Sequence, residues 1–476
     1  MEHRLKVLSR LTQDKHRKIV NRFYWLHVTT KTKSVKICSI SVICALSLPK
    51  FKIMLQISFI RGNIELVKER LSVKHFGDLM LVDNVIELDG QVRKLKVESE
   101  TLQADMNAAS KAIGQLMGKG EKEQAEEKKI EVSRHKITSQ QLNEHLALVE
   151  KKLHDALIQF PNLPHISVPK GKTPEENELV REGGVKPVLP SNAVPHWDLI
   201  KRYDLVDFET GAKITGSGFP LYKGKGAKLQ RALIQYFLDF NTAAGYTEYL
   251  PPLMVNEASA YGTGQLPDKE GQMYHATADG FYLIPTAEVP VTNIYRDEIV
   301  KESDVPIKMT AYTPCFRREA GSFGSEVRGL NRVHQFDKVE IIQLVHPEKS
   351  YEVLEEMVTH VETLLQQLQL PYRILRLCGG DMSFTSALTY DFEVFSAAQQ
   401  KWLEVSSVSN FESFQTNRMK IRYKNAEGKT QLLHSLNGSS LALPRIVACL
   451  LENNQTDTGI ELPDVLHGYF GKGVIQ

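Results

Sequence analysis

The chain has 476 residues with 59 Lys+Arg against 57 Asp+Glu, so two or more domains are expected and a uniformly polybasic binder is excluded. Its five cysteines (Cys38, Cys44, Cys315, Cys378, Cys449) are scattered without a CxxC pair, which argues against a disulfide framework or a structural zinc site and fits a reducing compartment. Neither GxxxxGK[ST] nor GxGxxG occurs, which excludes a P-loop or Rossmann nucleotide site on motif grounds.

Charge is unevenly spread. Residues 1–53 carry twelve Lys/Arg against Glu2 and Asp14, which leaves the remainder of the chain net acidic. Val35–Leu48 is apolar, but too short and too interrupted by Lys36 and serines for a convincing membrane span. Residues 1–53 therefore read as an atypical extension, disordered or wrongly included, with Met54 opening the regular sequence. A cytoplasmic protein without stable membrane association is the expectation.

Residues 54–160 are predicted to form a long helical arm. Leu81, Leu88, Leu95, Leu102, Ala109 and Leu116 recur every seven residues, with Val85, Val92, Ser99, Met106 and Ile113 between them. Gly118-Lys119-Gly120 breaks this helix. A second seam follows at Leu142, Leu146, Val149, Leu153 and Phe160, and Pro161 and Pro164 end it. Two such helices make an antiparallel coiled coil, about 55 Å long at ~1.5 Å per residue. Lys94, Lys96, Lys111, Lys119, Lys122, Lys128, Lys129, Arg134 and Lys136 either track a phosphate backbone or keep a spacer soluble.

The Pro- and Gly-rich stretch at 161–195 reads as a linker, and 196–476 as one α+β domain, an antiparallel sheet flanked by helices. Helices are predicted at Gly226–Ala243 and Ser350–Leu368. YTEYLPPLMVN reads as a strand interrupted by Pro251-Pro252, the sort of edge where another subunit packs. FYLIPTAEVP gives a strand ending in Thr286-Ala287-Glu288. Ile307–Phe316 and Val333–Val345 frame a long turn holding Gly321, Gly324, Gly329, Arg317, Arg318, Arg328 and Arg332. Guanidinium forks suit phosphate or carboxylate oxygens, although a solvated basic loop explains arginines alone. Asp391–Val408 reads as a hairpin ending in Glu404, Ser406 and Ser407, hard oxygen donors of the kind Mg²⁺ takes. Leu436–Leu451 reads as a strand–turn–helix carrying Asn437, Ser439 and Arg445.

Taken together, the diproline strand, the FRxE loop at Phe316–Glu319 and the terminal strand–helix with Arg445 resemble the three signature motifs of class II aminoacyl-tRNA synthetases. YGTGQLP, PTAEVP, AYTPCFRREAG, RGLNRVHQFDKVE, EVSSVSNFESFQTNRMKIRY and LNGSSLALPR resemble the bacterial-type seryl-tRNA synthetase family over Met54–Gly471. The helical hairpin is similar to that family's tRNA-binding arm.

This resemblance implies ATP-dependent activation of L-serine to seryl-adenylate, then transfer to tRNA(Ser), with charging of tRNA(Sec) left open. It implies a homodimer that uses ATP and Mg²⁺. Arg317 would meet the α-phosphate, Arg445 the γ-phosphate, and Phe336 would stack on adenine. Glu319 would hold the adenine amino group or anchor its loop, and Arg318 falls among the ATP-binding residues with its role left open. The Glu404-Val405-Ser406-Ser407 stretch would line the ATP site, with Glu404 and Ser407 coordinating Mg²⁺. Serine would fall to Thr286, Ala287, Glu288, Arg317, Glu340, Asn437 and Ser439. A buried acceptor for the serine hydroxyl would reject alanine by being left unpaired. NGSS replaces the commoner NGSG and LPR the commoner VGR, so Ser440 and Pro444 depart from the family pattern. Rival readings are a paralogue that charges a carrier protein and a non-catalytic RNA-binding homologue.

Overall fold

The computed structural model describes residues 56–268, 270–320 and 327–476; the extension read at 1–53, and Gly321 and Gly324, lie outside the described residues. Short helices α1 (Ile57–Gly62) and α2 (Ile64–Val73) precede α3 (Met80–Lys119), and α4 (Lys122–Leu157) returns along it. The first helix runs through Gly118 and closes at Gly120, whose φ of 81° is the left-handed cap that glycine supplies without steric cost.

The predicted seam is dense only at the base of the arm. Val85, Leu88, Val92 and Leu95 pack with Val149, Leu153, Leu157 and Phe160, and with Val67 and Leu71 from α2. The polar slot at Ser99 is filled across the hairpin, its Oγ donating to Asn143 Oδ1 at 3.1 Å. Farther out Leu102, Met106 and Ile113 are only half-buried, as a two-helix rod must leave them.

The elements that build the main sheet and position the site are, in chain order, β1 (Glu178–Gly183), α5 (Gly224–Ala243), β2 (Thr247–Tyr249), β3 (Met254–Asn256), β4 (Phe281–Leu283), α6 (Glu288–Thr292), β5 (Ile307–Phe316), β6 (Gln335–Val345), α7 (Ser350–Gln367), β7 (Tyr372–Arg376), β8 (Leu388–Ser396), β9 (Lys401–Asn410), α8 (Phe414–Met419), β10 (His434–Ala442) and α9 (Leu443–Asn453). Eight strands form the main sheet in the order β1-β7-β8-β9-β10-β6-β5-β2. Every pairing is antiparallel except β2 with β5.

Three expectations change. The stretch 161–195 is more than a linker, because β1 pairs with β7 as an edge of the sheet. Its side chains are largely exposed, so no apolar alternation announces it. YTEYLPPLMVN is two strands in two sheets: β2 joins the main sheet, and β3 pairs with β4 in a separate three-stranded one. Pro251-Pro252 carries the chain between them, since proline cannot donate to a ladder. Thr286-Ala287-Glu288 does not extend β4; Glu288 opens α6 instead.

One face of the sheet is covered by α5, α7 and α9. Val339 and Ile341 of β6, Val405 and Val408 of β9 and Leu436 of β10 pack there against Leu233, Phe237, Leu354, Met357 and Ile446. Pro444 sits in the first turn of α9, where its missing N–H costs nothing, and the helix follows β10 without an intervening turn. The other face is left to carry chemistry.

Candidate active site

On β6 the period of two sends Phe336, Lys338 and Glu340 to the open face, while Val339 and Ile341 enter the core. Register sets Glu340 beside Ser439 of β10, and Asn437 beside Ser409 of β9. These side chains line a cavity of about 640 Å³ with Thr286, Glu288, Arg317, Glu319, Glu404, Ser407 and Arg445.

Glu404 and Ser407 are three apart and would face opposite ways on a regular strand. A β-bulge prevents this. Phe392 opposes Ser406 and Glu393 opposes Glu404, so Val405 is the extra residue and the pleat changes phase. Val405 and Val408 then fill the core, and Glu404 and Ser407 both reach the cavity. Val405 and Ser406 touch the cavity wall as well, with Ser406 Oγ donating to the Ser439 carbonyl at 2.6 Å. Across the ladder from Ser407, burial first and Glu404 second hold the Asp391 carboxyl well above the usual range.

The inner end is a buried group of charges. Lys338 Nζ lies 2.7 Å from Glu340 Oε2, off the hydrogen-bonding angle, so that oxygen keeps its accepting capacity. Glu288 is 8% exposed, and its carboxyl is pushed up to about 7, first by burial and then by Glu340. The Gln415 amide, Lys338 and Asn437 oppose that shift. Two carboxylates against one ammonium suit a small cationic group.

The outer end is richer in arginine. Arg317 lies over the Phe336 ring at 5.3 Å, and its Nε donates to the Pro285 carbonyl at 3.4 Å. Arg445 Nε donates to the Asn331 carbonyl at 2.9 Å and Nη1 to the Glu404 carbonyl at 2.7 Å. Glu319 also lines the cavity, and its Oε2 accepts from Arg332 Nη1 at 2.7 Å.

Two of the expected site residues are not brought in. Arg318 is exposed and lies over Tyr274, and Ala287 is buried behind the site with Met309 and Ala311. Lys338 was not singled out from the sequence, although its place between Phe336 and Glu340 in the alternation marks it. Among the described residues no group of three or more His, Cys, Asp or Glu is arranged to hold a metal. A cation held partly by substrate phosphates needs only one or two carboxylates, so Glu404 with Ser407 fits Mg²⁺.

Two family models match: the seryl-tRNA synthetase N-terminal domain over residues 54–164 and the tRNA synthetase class II core domain (G, H, P, S and T) over 273–454. A serine–tRNA ligase from Salinibacter ruber is 50% identical over 420 residues, covering 88% of this chain and 98% of that one. The chain belongs to the seryl-tRNA synthetase family. Among solved structures, the Pyrococcus horikoshii seryl-tRNA synthetase complexed with ATP superposes with a TM-score of 0.83 at 32% identity, covering 89% of this chain and 99% of that one. The cytoplasmic serine–tRNA ligase of Naegleria fowleri in complex with AMP gives 0.79 at 26% identity, with the same coverage of 89% and 99%. The N-terminal model spans the helical arm, and the core model spans the cavity from Met273 through α9. Among the described residues no helix is long and apolar enough to cross a membrane.

Proposed function

We propose that this chain is a serine–tRNA ligase that activates L-serine with ATP and transfers it to tRNA(Ser). The observation that carries the reading is the 640 Å³ cavity, lined by the Glu288 and Glu340 carboxylates at one end and by Arg317 and Arg445 at the other. Glu288 and Glu340 take the serine ammonium and hydroxyl, helped by Thr286, Asn437 and Ser439. A serine carboxylate oxygen attacks the α-phosphorus of ATP and pyrophosphate leaves. Arg317 stands where negative charge grows in that transition state, a preplaced cation costing no reorganisation at the moment of reaction. Phe336 offers its ring to the adenine, and Arg445 stands at the outer end for the γ-phosphate. Glu404 and Ser407 would hold Mg²⁺, which when bound neutralises phosphate charge.

The seryl carbonyl of the adenylate is then attacked by a hydroxyl of the tRNA 3′ end, releasing AMP. The arm grips the tRNA body by shape and backbone charge. Among the described residues Lys111, Lys119, Lys122, Arg134 and Lys136 form no ion pair, whereas Lys94, Lys96, Lys128 and Lys129 are matched with glutamates. The outer half of the arm therefore supplies the cations. Homodimerisation and a cytoplasmic setting complete the proposal, and charging of tRNA(Sec) follows if the arm reads shape alone.

The test is serine-dependent pyrophosphate exchange followed by charging of total tRNA. Absence of exchange with serine overturns the reading. Exchange without charging favours a carrier-protein substrate.

A further inference from the structure

Gln415 does not line the cavity, yet it makes the closest contact to one of its carboxylates. It lies in α8 and is 1% exposed. Its Nε2 donates to Glu288 Oε1 at 2.5 Å and to the Thr263 carbonyl at 3.1 Å, and its Oε1 accepts from Ser435 Oγ at 2.7 Å. The orientation of this amide is forced. A backbone carbonyl only accepts, so the NH₂ end must face Thr263, and the same NH₂ then meets Glu288.

We infer that Gln415 is a positioning residue for amino-acid selection, holding the Glu288 carboxylate ionised and aimed at the serine subsite from behind the cavity wall. The inference rests on the proposed role of Glu288 in binding serine. Glu288 is held at backbone and side chain: its own N–H donates to Thr286 Oγ1 at 3.2 Å, and its carboxylate is clamped by Gln415, with Asn437 a further side-chain partner. Of the groups that favour the ionised Glu288 carboxylate, the Gln415 amide acts most strongly, ahead of Lys338 and Asn437. The clamp is also electrostatic. Glu340 repels the charge on Glu288, Lys338 offsets part of that, and an N–H donor in a buried site favours the ionised form. Gln415 is itself immobilised on both sides. Phe414 is packed into the cluster at the base of the arm, and Thr416 Oγ1 donates to both the Ser413 and Leu433 carbonyls. A short helix wedged between the arm and the site thus presents one amide to one carboxylate.

The experiment is steady-state pyrophosphate exchange with the full chain, measuring KM separately for serine and for ATP. Gln415→Met keeps length and removes the donors; KM for serine should rise about tenfold or more while KM for ATP stays within about twofold. Gln415→Glu sets a second carboxylate against Glu288. A proton shared between the two restores a donor, so its KM for serine should improve as pH falls from about 8 to about 6. Wild type should move the opposite way, because protonating Glu288 discards the charge that meets the ammonium. Placing Gln415→Met on a Glu288→Gln background should add nothing further to KM for serine, since the clamp would have lost its object.

An unchanged KM for serine in Gln415→Met overturns the inference, as do equal losses for serine and ATP, or a wild-type pH trend in Gln415→Glu. If Gln415→Met does not fold, Gln415→Glu at low pH decides alone. If Glu288→Gln leaves KM for serine unchanged, it is the role of Glu288 that fails, and the two failures are thereby told apart.

Discussion

Arg332 Nη1 donates to Glu319 Oε2 at 2.7 Å, and with that contact the arginines of the loop cease to be equivalent. Arg332 anchors the loop's carboxylate. Arg328 lies over Trp197 at 4.6 Å, Arg318 over Tyr274 at 5.9 Å, and Arg317 over Phe336 inside the cavity. Arg317→Ala should therefore lower serine-dependent exchange on the order of 10²–10³-fold, the cost of deleting a donor aimed at transition-state charge. Arg318→Ala should stay within about threefold, as an exposed cation off the reacting line contributes little. Comparable losses in the two variants would contradict this division.

Removing the arm tests a separate assignment, and the packing dictates where to cut. A deletion of 82–159 would strip Val85, Leu88, Val149 and Leu153 from the cluster that covers Phe414, and would expose α8 to water. Cutting instead between Ser99 and Asn143, which already touch, leaves that cluster whole. A chain lacking 101–141, closed by a short glycine-rich turn, should keep serine-dependent exchange and lose tRNA charging by at least about a hundredfold, since the unpaired Lys111, Lys119, Lys122, Arg134 and Lys136 all go with it. Parallel loss of both activities would mean the arm does more than bind tRNA.

The motifs were legible because their chemistry is local. Arg317, Glu340, Asn437 and Arg445 are identified by short blocks, and all four line the cavity. What escaped was produced by pairing between distant segments. That Glu404 and Ser407 share a face depends on one extra residue opposite β8, which no alternation in β9 reveals. Strand β1 was hidden in a proline-rich stretch because it is a solvent-facing edge. Gln415 carries no motif chemistry of its own, and its importance comes from Thr263, Glu288 and Ser435 converging on it. Arg318 erred the other way: its place in FRRE puts it among the expected ATP-binding residues, but adjacent residues diverge and only Arg317 lines the cavity.

Glu288 links function to stability with a definite sign. A glutamate in the unfolded chain titrates near ~4.3, and in the fold Glu288 holds its proton to about 7. The folded state thus binds more protons across that window, so stability falls as pH rises through it and the whole loss is present above it. Glu288→Gln abolishes this penalty and should raise unfolding free energy by on the order of 3–4 kcal/mol at pH about 8, with little gain at pH about 4. The same variant should lose serine-dependent exchange. Thermal melts at both pH values decide the matter; identical melting of variant and wild type at high pH would refute it.

The diproline segment leaves an apolar surface that the monomer does not use. Leu250 is 87% exposed and Met254 50%, and Phe281, on the strand paired with β3, is 42% exposed. Scattered leucines on a surface need no explanation, but these flank a proline pair that ends an edge strand. A two-fold partner would cover the same residues on both copies, and a stable interface buries more than roughly 1,000 Å² in total. Leu250→Asp combined with Met254→Asp places two charges on each side of such a contact, where they are left desolvated and unpaired. Light scattering should then report half the wild-type mass, with the melting profile of the monomer retained. Because Glu248 and Tyr249 of β2 pair directly with Thr310 and Ala311 of β5, and Ala311 with Glu340, losing the partner frees the strand edge next to the serine subsite. Exchange should fall along with the mass. A wild type that is already monomeric, or a doubly charged variant that stays dimeric, would remove this surface as the interface.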